Sequence, residues 1–356
     1  MRLRKSIKER VMAIINGTKG THGTNGGTPT IGGPGSNESF TQNGKIGADS
    51  ITEQVFGGDG GDGGNGTGAA AGANGGNGGN AAITLNGNIF NAPATNNLTV
   101  ALTAVGGNGG LGGTSVNSTP GFLGNGGNAT VTMSGNIIQP NKIMNNIELN
   151  AIAIAGDGTK KGNASATING NIIQPSKATT TVTLLAKAYA NGTDAYANNG
   201  NLNYGTKTAT INGNIVQGNV NNVYLSADTY NPATPFVGSN GTATINGNVI
   251  QTKATNTGFV SLEASGQHIA ITQNKITLGL QELDLAVNQF GPTYDTQIKT
   301  NEFKGTGTNT FSFTDNVYPG PPHPGHHRDR PRRRHLHVQR RQQHADRIRQ
   351  RDRLGQ

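Results

Sequence analysis

Hydrophobic positions alternate with small or polar positions over short runs of this chain, which is the period of a β-strand with one buried face. One such run recurs five times, turns at Asn-Gly or Ser-Gly, and resumes with Asn followed by Ile or Val. Its copies are AAITLNGNIFN (81–91), ATVTMSGNIIQP (129–140), SATINGNIIQP (165–175), TATINGNIVQG (208–218) and TATINGNVIQT (242–252). The pattern predicts a strand, a sharp bend and a second short strand.

A second alternating element lies between these copies and is rich in β-branched residues. Its copies are NLTVALTAVGG (97–107), NIELNAIAIAG (146–156), TVTLLAKAYANG (181–192), NVYLSADTY (222–230) and FVSLEAS (259–265). This composition and period also favour a strand with one buried face. Each repeat therefore contains two predicted strand modules.

The spacing of the repeats favours a stacked fold. The motif weakens after residue 252, and its later members at Asn274, Asn288, Asn301 and Asn316 are 27 or 28 residues apart when alternate members are compared. We interpret about 27 residues as one bare coil and the longer copies as coils with loops. The sequence predicts an all-β, right-handed parallel β-helix, in which stacking gives successive coils a shared core.

The spacing within the bend is the same in all five copies, so it places one asparagine at the same corner of each coil. Identical residues that stack in register can form a ladder of side-chain amides. We therefore predict a structural turn ladder rather than a ligand site, formed by Asn88, Asn136, Asn171, Asn214 and Asn248.

Residues 57–80 have a different period, because they divide into eight triplets, GGD GGD GGN GTG AAA GAN GGN GGN. A polyproline II helix has three residues per turn, so this spacing places small residues on two faces and polar residues on the third. Such helices could pack closely against the related pieces at 106–114 and 124–128. A flexible glycine-rich loop is the alternative.

Composition limits the thickness of the core. The chain has 356 residues, of which 56 are Gly, only 32% are hydrophobic and none is Cys or Trp. A chain this rich in glycine cannot build one thick core, which again favours a thin, repetitive fold. No apolar run reaches the roughly 20 residues of a membrane-spanning helix, and the N-terminus lacks the apolar region of a signal peptide.

The net charge of +9 belongs to the two ends of the chain. Residues 11–318 contain twelve Lys against fifteen Asp and Glu, whereas residues 319–356 contain eleven Arg against three Asp. We interpret this tail as an out-of-frame translation, since shifted codons for Gln, His and Arg would encode residues typical of the repeats. The alternatives are a disordered basic tail and a nucleic-acid-binding arm, whose binding would depend steeply on salt and be lost without residues 319–356.

These observations divide the chain into four parts. Residues 1–56 form an N-terminal segment, residues 57–80 the glycine-triplet segment, residues 81–318 the β-solenoid, and residues 319–356 the disordered Arg- and His-rich tail. Met12 is an alternative start, which would leave residues 1–11 untranslated.

One metal site can be suggested from the triplets. The stretch GGDGGDGGN (57–65) matches most of the nonapeptide that binds calcium in β-rolls, although Gly64 replaces its large aliphatic residue. Asp59 and Asp62 are therefore candidate calcium ligands. A single turn of this kind supplies only part of the six to eight oxygens that calcium needs. The predicted fold requires no cofactor.

The stretch MAIINGTKGTHGTNGG (12–27) resembles the opening of haemolysin-type calcium-binding (RTX-like) proteins. The resemblance covers about fifteen residues. It implies a bacterial protein exported by a type I system without an N-terminal signal peptide. Lys19, His22 and Asn25 stand where that family tends to have Asn and Asp ligands, so calcium binding is not carried over with the resemblance.

An enzyme is the main alternative, because some parallel β-helices cleave or epimerise acidic polysaccharides with clustered carboxylates and a base. The scattered candidates are Asp194, Asp228, Glu263, Glu282, Asp284, Lys187 and Lys253. Asp194 and Asp228 follow corresponding strand modules and could align on adjacent coils. Solvated surface acids are the simpler interpretation.

The expected function is non-enzymatic. We expect an extracellular or cell-surface, adhesin-like repeat protein of the RTX-like class, whose long flank binds a surface carbohydrate or a protein. A polysaccharide lyase or epimerase on the same scaffold is the first alternative, and nucleic-acid binding through the tail is the second. Nucleic acid is not the expected partner, and no membrane span is expected.

Overall fold

The computed structural model describes residues 11–47, 49–91, 93, 95–190, 205–229, 241–253, 258–279, 281–290, 295–305 and 309–316. Residues 319–356 lie wholly outside the described residues, so the interpretations of the basic tail stay predictions.

All regular elements of the described residues are β-strands, and alternating side chains explain why they form. In chain order they are β1 (Val11–Asn16), β2 (Glu38–Asn43), β3 (Ile51–Phe56), β4 (Ala81–Asn86), β5 (Ile89–Phe90), β6 (Asn97–Val105), β7 (Ala129–Ser134), β8 (Ile137–Ile138), β9 (Met144–Ala155), β10 (Ala164–Asn169), β11 (Ile172–Ile173), β12 (Thr179–Ala190), β13 (Lys207–Asn212), β14 (Ile215–Gly218), β15 (Val220–Asp228), β16 (Gly241–Asn246), β17 (Val249–Thr252), β18 (Phe259–Gly266), β19 (His268–Thr272), β20 (Lys275–Thr277), β21 (Glu282–Phe290), β22 (Asp295–Lys299), β23 (Glu302–Lys304) and β24 (Asn309–Asn316).

The strands form three sheets. Sheet 1 has nine strands in the order β1-β3-β6-β9-β12-β15-β18-β21-β24, and sheet 2 has eight in the order β2-β4-β7-β10-β13-β16-β19-β22. Sheet 3 has seven in the order β23-β20-β17-β14-β11-β8-β5. Neighbouring strands are parallel, as β9 and β12 or β10 and β13 illustrate. From β3 onward, each complete coil contributes one strand to each sheet, which confirms the predicted parallel, repetitive β fold.

Identical or similar aliphatic residues stack through the interior because the coils pair in register. Leu149 pairs with Leu184 and Leu184 with Leu225, and all three are buried. Ile168 and Ile211 form a similar stack in sheet 2. Full burial of one such side chain contributes about 1.5–3 kcal/mol. The core is thus a narrow column of aliphatic side chains shared by successive coils.

The bend after each sheet 2 strand needs a left-handed backbone. Gly87, Gly135, Gly170, Gly213 and Gly247 have φ between 60° and 64° there. Glycine adopts this conformation without a steric penalty from Cβ. The later coils place Gln273 and Thr300 at the same bend with φ of 58° and 56°. The bend is therefore retained where the Asn-Gly signature is lost, at the cost of local strain.

The coils begin earlier than the sequence boundary at residue 81. Strands β1, β2 and β3 already belong to sheets 1 and 2, and residues 57–80 leave the coil after β3 and return to it at β4. In a later coil only Gln267 lies between β18 and β19. The unequal spacing of the sequence motif therefore reflects how far the chain extends between sheet 1 and sheet 2.

Candidate functional site

The asparagine corners form one continuous row of side-chain hydrogen bonds. Each Nδ2 donates to the Oδ1 of the next asparagine, from Asn88 to Asn136 at 3.0 Å and from Asn136 to Asn171 at 2.8 Å. The row continues through Asn214, Asn248, Asn274 and Asn301 with distances of 2.9 to 3.0 Å. The structure brings together all five asparagines of the predicted turn ladder and adds Asn274 and Asn301.

Every polar atom in the middle of this row is used inside the protein. The Oδ1 of Asn171 accepts from the backbone N–H of Asn136 at 3.0 Å, and its Nδ2 also donates to the carbonyl of Met133 at 3.2 Å. Asn171 is 0% exposed. A side-chain amide with this set of bonds has little capacity left for a ligand. The row therefore stabilises the corner of the stack.

Glycine-rich segments form a second structure, which we call the triplet bundle. In three successive coils an outgoing segment leaves sheet 1 and a returning segment leads to sheet 2. The outgoing layer consists of residues 17–26, 57–66 and 106–114, and the returning layer consists of residues 30–37, 72–80 and 121–128. Segments are parallel within a layer, as the bonds from Gly60 to Asn108 and from Gly63 to Leu111 show. They are antiparallel between layers, where Gly61 donates to Gly33 and Gly64 to Thr30.

The backbone donors of the triplets have three types of partner. The N–H of Gly60 donates to the carbonyl of Asn108 in the same layer at 2.8 Å. The N–H of Gly61 donates to the carbonyl of Gly33 in the other layer at 2.8 Å. The N–H of Asn108 donates to the Oδ1 of Asp59 at 2.7 Å. This three-residue period is that of a polyproline II helix, and the bonds show that residues 57–66 are packed into the bundle.

The third bond explains why Asp or Asn occupies the third position. The Oδ1 atoms of Asp59 and Asp62 accept from the N–H groups of Asn108 and Leu111 at 2.7 and 3.0 Å. Asn65 makes the same bond to Thr114 at 2.8 Å. The two candidate calcium ligands therefore have the same structural role as an asparagine, and calcium binding stays a prediction.

The stretch that resembles RTX-like proteins forms β1 and the first outgoing segment. Lys19, His22 and Asn25 occupy third positions of that segment. Asp62 Oδ2 lies 3.3 Å from His22 Nδ1 and 3.8 Å from Lys19 Nζ. A shallow groove of about 440 Å³ crosses this face between two rows of third-position side chains. Within the described part of the chain, no three His, Asp or Glu residues converge as metal ligands.

The structural role of Asp59 and Asp62 leads to a direct test. In the double variant Asp59→Asn and Asp62→Asn, both Oδ1 acceptors are kept, so without calcium we expect a change in unfolding free energy within about 0.5 kcal/mol. Thermal denaturation in chelator and in millimolar calcium would measure it. A calcium-dependent rise in Tm that the double variant loses would support the calcium prediction. If the double variant is much less stable than the wild type in chelator, Asp and Asn are not equivalent at these positions.

The candidate catalytic residues are spread over the molecule. Lys187 of β12 pairs in register with Asp228 of β15, which pairs with Ser265. Asp228 also contributes, after burial, to raising the pKa of Tyr189 to about 12. The carboxylate of Glu263 accepts from Asn288 Nδ2 at 3.0 Å.

The remaining candidates lie on other strands or outside the described residues. Glu282 and Asp284 belong to β21, whereas Lys253 follows β17 of sheet 3. Asp194 lies outside the described residues, so its alignment with Asp228 stays a prediction. The structure therefore brings Lys187 and Asp228 together but places Lys253 on a different sheet from the acids.

Sequence reasoning missed a buried acid, Glu53. Its side chain points into the core from β3 and is 1% exposed, because the alternation of β3 puts Ile51, Glu53 and Val55 on the buried face. Oε2 accepts from the backbone N–H of Ala13 at 3.0 Å, whereas Oε1 has no hydrogen-bond partner. Burial raises the pKa of Glu53, and the Ala13 bond and the positive charge of Lys45 oppose that rise only in part.

We expect Glu53→Gln to stabilise the protein at alkaline pH. The raised pKa in the folded state means that folding favours the protonated acid, so the wild type loses stability as pH rises from 4.5 through the folded-state pKa. Glutamine does not titrate, so the Tm advantage of the variant should grow over that range and be smallest at pH 4. Thermal melts from pH 4 to pH 9 would measure it. A Tm difference that does not change with pH would contradict the assignment.

No helix of the described residues is long and apolar enough to cross a bilayer. No family model matches the chain, and neither the curated proteins nor the solved structures yield a match.

Proposed function

We propose that this chain is a non-enzymatic, extracellular, adhesin-like repeat protein whose flank binds a surface carbohydrate or a protein. The observation that carries the proposal is the triplet bundle, in which all three backbone donors of a triplet such as Gly63–Asn65 are bonded internally. Gly63 and Gly64 donate to backbone carbonyls of neighbouring segments, and the N–H of Asn65 donates to the Oδ1 of Asn25. The bundle is thus a rigid support that presents ordered rows of third-position side chains to solvent.

The coils support the same proposal. Sheet 1 contains nine in-register strands, so its outward side chains also form regular columns. A right-handed winding of the coils is part of the proposal, since parallel strands joined by crossovers are nearly always right-handed. Rigid, preorganised surfaces reduce the entropy lost on binding, which suits an adhesin.

The RTX-like resemblance of residues 12–27 supports a bacterial origin and export by a type I system without an N-terminal signal peptide. It also supports a location outside the cell or at its surface. Detection of the chain in the culture medium or on the surface of intact cells that produce it would test this part. Retention of the chain inside those cells would contradict it.

Binding and catalysis can be tested in one experiment. The purified full chain is incubated with intact microbial cells, with immobilised neutral and acidic polysaccharides, and with extracellular matrix proteins. We expect saturable binding to one of these surfaces, without new reducing ends and without the ultraviolet absorbance of unsaturated sugars. Release of either product would favour the lyase, and an absence of binding to all the surfaces would contradict the adhesin.

A further inference from the structure

The returning layer of the triplet bundle has an outer face with a regular set of amides, which we call the asparagine face. It consists of the third-position asparagines Asn37, Asn74, Asn77, Asn80 and Asn128, and the next coil continues it with Asn163. All six side chains are exposed. Asn37, Asn80, Asn128 and Asn163 occupy corresponding positions on neighbouring segments, whereas Asn74, Asn77 and Asn80 follow one another along one segment.

The orientation of these amides is fixed by the bundle. The Oδ1 of Asn77 accepts from the backbone N–H of Asn125 at 2.9 Å, and the Oδ1 of Asn80 accepts from that of Asn128 at 2.8 Å. The same bond holds the other four, with donors on Asn80, Phe122, Asn163 and Thr206 at 2.7 to 2.9 Å. Because each oxygen is engaged, the Nδ2 group is the part of each amide that remains to bind a ligand.

The rows of amides are separated by a floor of glycine. Three residues of a polyproline II helix advance about 9 Å, which is the distance between successive rows along one segment. Neighbouring segments continue from adjacent strands, so the amides within a row are about 5 Å apart. Gly78 and Gly79 lie between Asn77 and Asn80 and carry no side chain. An extended chain can therefore lie along a segment and meet one row of donors about every 9 Å.

The asparagines of this face are neutral and the surface around them is partly apolar, with the exposed Lys160 of the next coil continuing the row of Asn77 and Asn125. None of its third-position residues is an acid, whereas the outgoing layer has Asp59 and Asp62 at equivalent positions. Ile31 and Phe122 flank Asn74 in the outermost row and are 66% and 71% exposed. Amide donors suit the hydroxyl and ring oxygens of sugars, and an exposed aromatic ring offers an apolar surface for their C–H groups.

We propose that the asparagine face binds an extended, neutral polysaccharide chain that lies along the triplet segments. Its oxygens accept from the Nδ2 groups of Asn74, Asn77 and Asn80 and their neighbours, and one sugar packs on Phe122. This inference rests on the proposed adhesin function and names the ligand class and the surface.

The native bundle supplies a substitution that separates binding from folding. In the variant Asn74→Asp, Asn77→Asp and Asn80→Asp, each side chain keeps an oxygen for the bundle but loses its Nδ2 donor. Asp59 and Asp62 show that aspartates three residues apart fit one triplet segment. Asp59→Asn with Asp62→Asn is the matched control on the opposite layer, and Phe122→Ala removes the proposed stacking ring.

The probes are immobilised mannan, dextran, β-glucan and chitin, with alginate as an acidic comparison, and the full chain is used throughout. We expect at least one neutral polysaccharide to bind. The triple aspartate variant should lower that affinity at least tenfold, and Phe122→Ala should lower it several-fold. The control should bind as the wild type does, and circular dichroism should show that all variants are folded.

Three results would overturn the inference. Binding of a neutral polysaccharide that the triple variant leaves unchanged would place the ligand on another surface, and the adhesin function would stand. Binding only to proteins or to alginate would exclude the ligand class but not the function. Failure to bind any polysaccharide, protein or cell surface would overturn the adhesin function as well. If the triple variant fails to fold, unchanged binding by Phe122→Ala contradicts the proposal.

Discussion

Gly61→Ala is expected to disrupt the triplet bundle and destabilise it by about 3 kcal/mol or more. Gly61 is buried between the layers, and a Cβ at this position would lie far inside van der Waals contact with the carbonyl oxygen of Thr21. That atom belongs to the backbone of another segment, so it cannot move without breaking further hydrogen bonds. Hydrogen exchange of the bundle amides and thermal denaturation would measure the loss.

Gly27→Ala is the matched control for this substitution. Gly27 follows the outgoing segment 17–26, which packs against Gly61, but has no atom within 4 Å of the position that a Cβ would take. We therefore expect a change within about 0.5 kcal/mol. Equal stability of the Gly61 and Gly27 variants would contradict the close packing of neighbouring segments in the outgoing layer. Protection lost throughout the bundle in the Gly61 variant alone would support it.

Asn171→Ala should cause a loss of similar size in the coils. The substitution removes the Asn171 Oδ1, which accepts from the backbone N–H and the Nδ2 of Asn136 at 3.0 and 2.8 Å, and leaves that Nδ2 only its bond to the Leu85 carbonyl. It also removes the Nδ2 that donates to Asn214 Oδ1 and to the Met133 carbonyl. Each buried group left without a partner costs about 1–3 kcal/mol, so we expect a total of at least about 3 kcal/mol. Urea denaturation followed by circular dichroism would measure it.

Two further variants make this result specific to the ladder. Asn169→Ala changes an exposed asparagine two residues away, and we expect a loss of less than about 1 kcal/mol. Asn171→Asp places a carboxylate oxygen against the Oδ1 of Asn214, and neither atom can donate a hydrogen bond. We expect the stability of this variant to recover as pH falls, because the protonated acid can donate. Similar losses for Asn169→Ala and Asn171→Ala, or a pH-independent Asn171→Asp, would contradict the structural ladder.

The strand modules and the bends could be predicted from the sequence because they depend on local period and on the residue at one corner. The copies at 165–175 and 208–218 alternate in the same way and turn at the same Asn-Gly pair. Stacking of identical residues then leads to an amide ladder once the strands are parallel. Asn274 and Asn301 were not included in the predicted ladder because Gln273 and Thr300 replace the bend glycine. The structure shows that the backbone keeps its shape without that signature.

The first coil and the role of the acids could not be predicted in the same way. Strand β2 pairs in register with β4, although residues 44–80 separate them. Asp59 resembles a calcium ligand in sequence, and only its contact with Asn108 shows a structural role. In β3, Glu53 lies between the aliphatic residues Ile51 and Val55 on the buried face, and its burial depends on the neighbouring strand β1. These features depend on segments that are distant in the chain.

The sequence by itself determined the period of each element: two residues in the strands, three in the glycine segments and about 27 in the bare coil. These periods are properties of the local backbone and of side-chain alternation, so they can be found without knowing what lies beside them. Only the tertiary structure decided that the glycine segments pack in two layers and that Asn and Asp face solvent with their oxygens engaged. A hydrogen bond between coils depends on loop lengths and register, which no local pattern specifies.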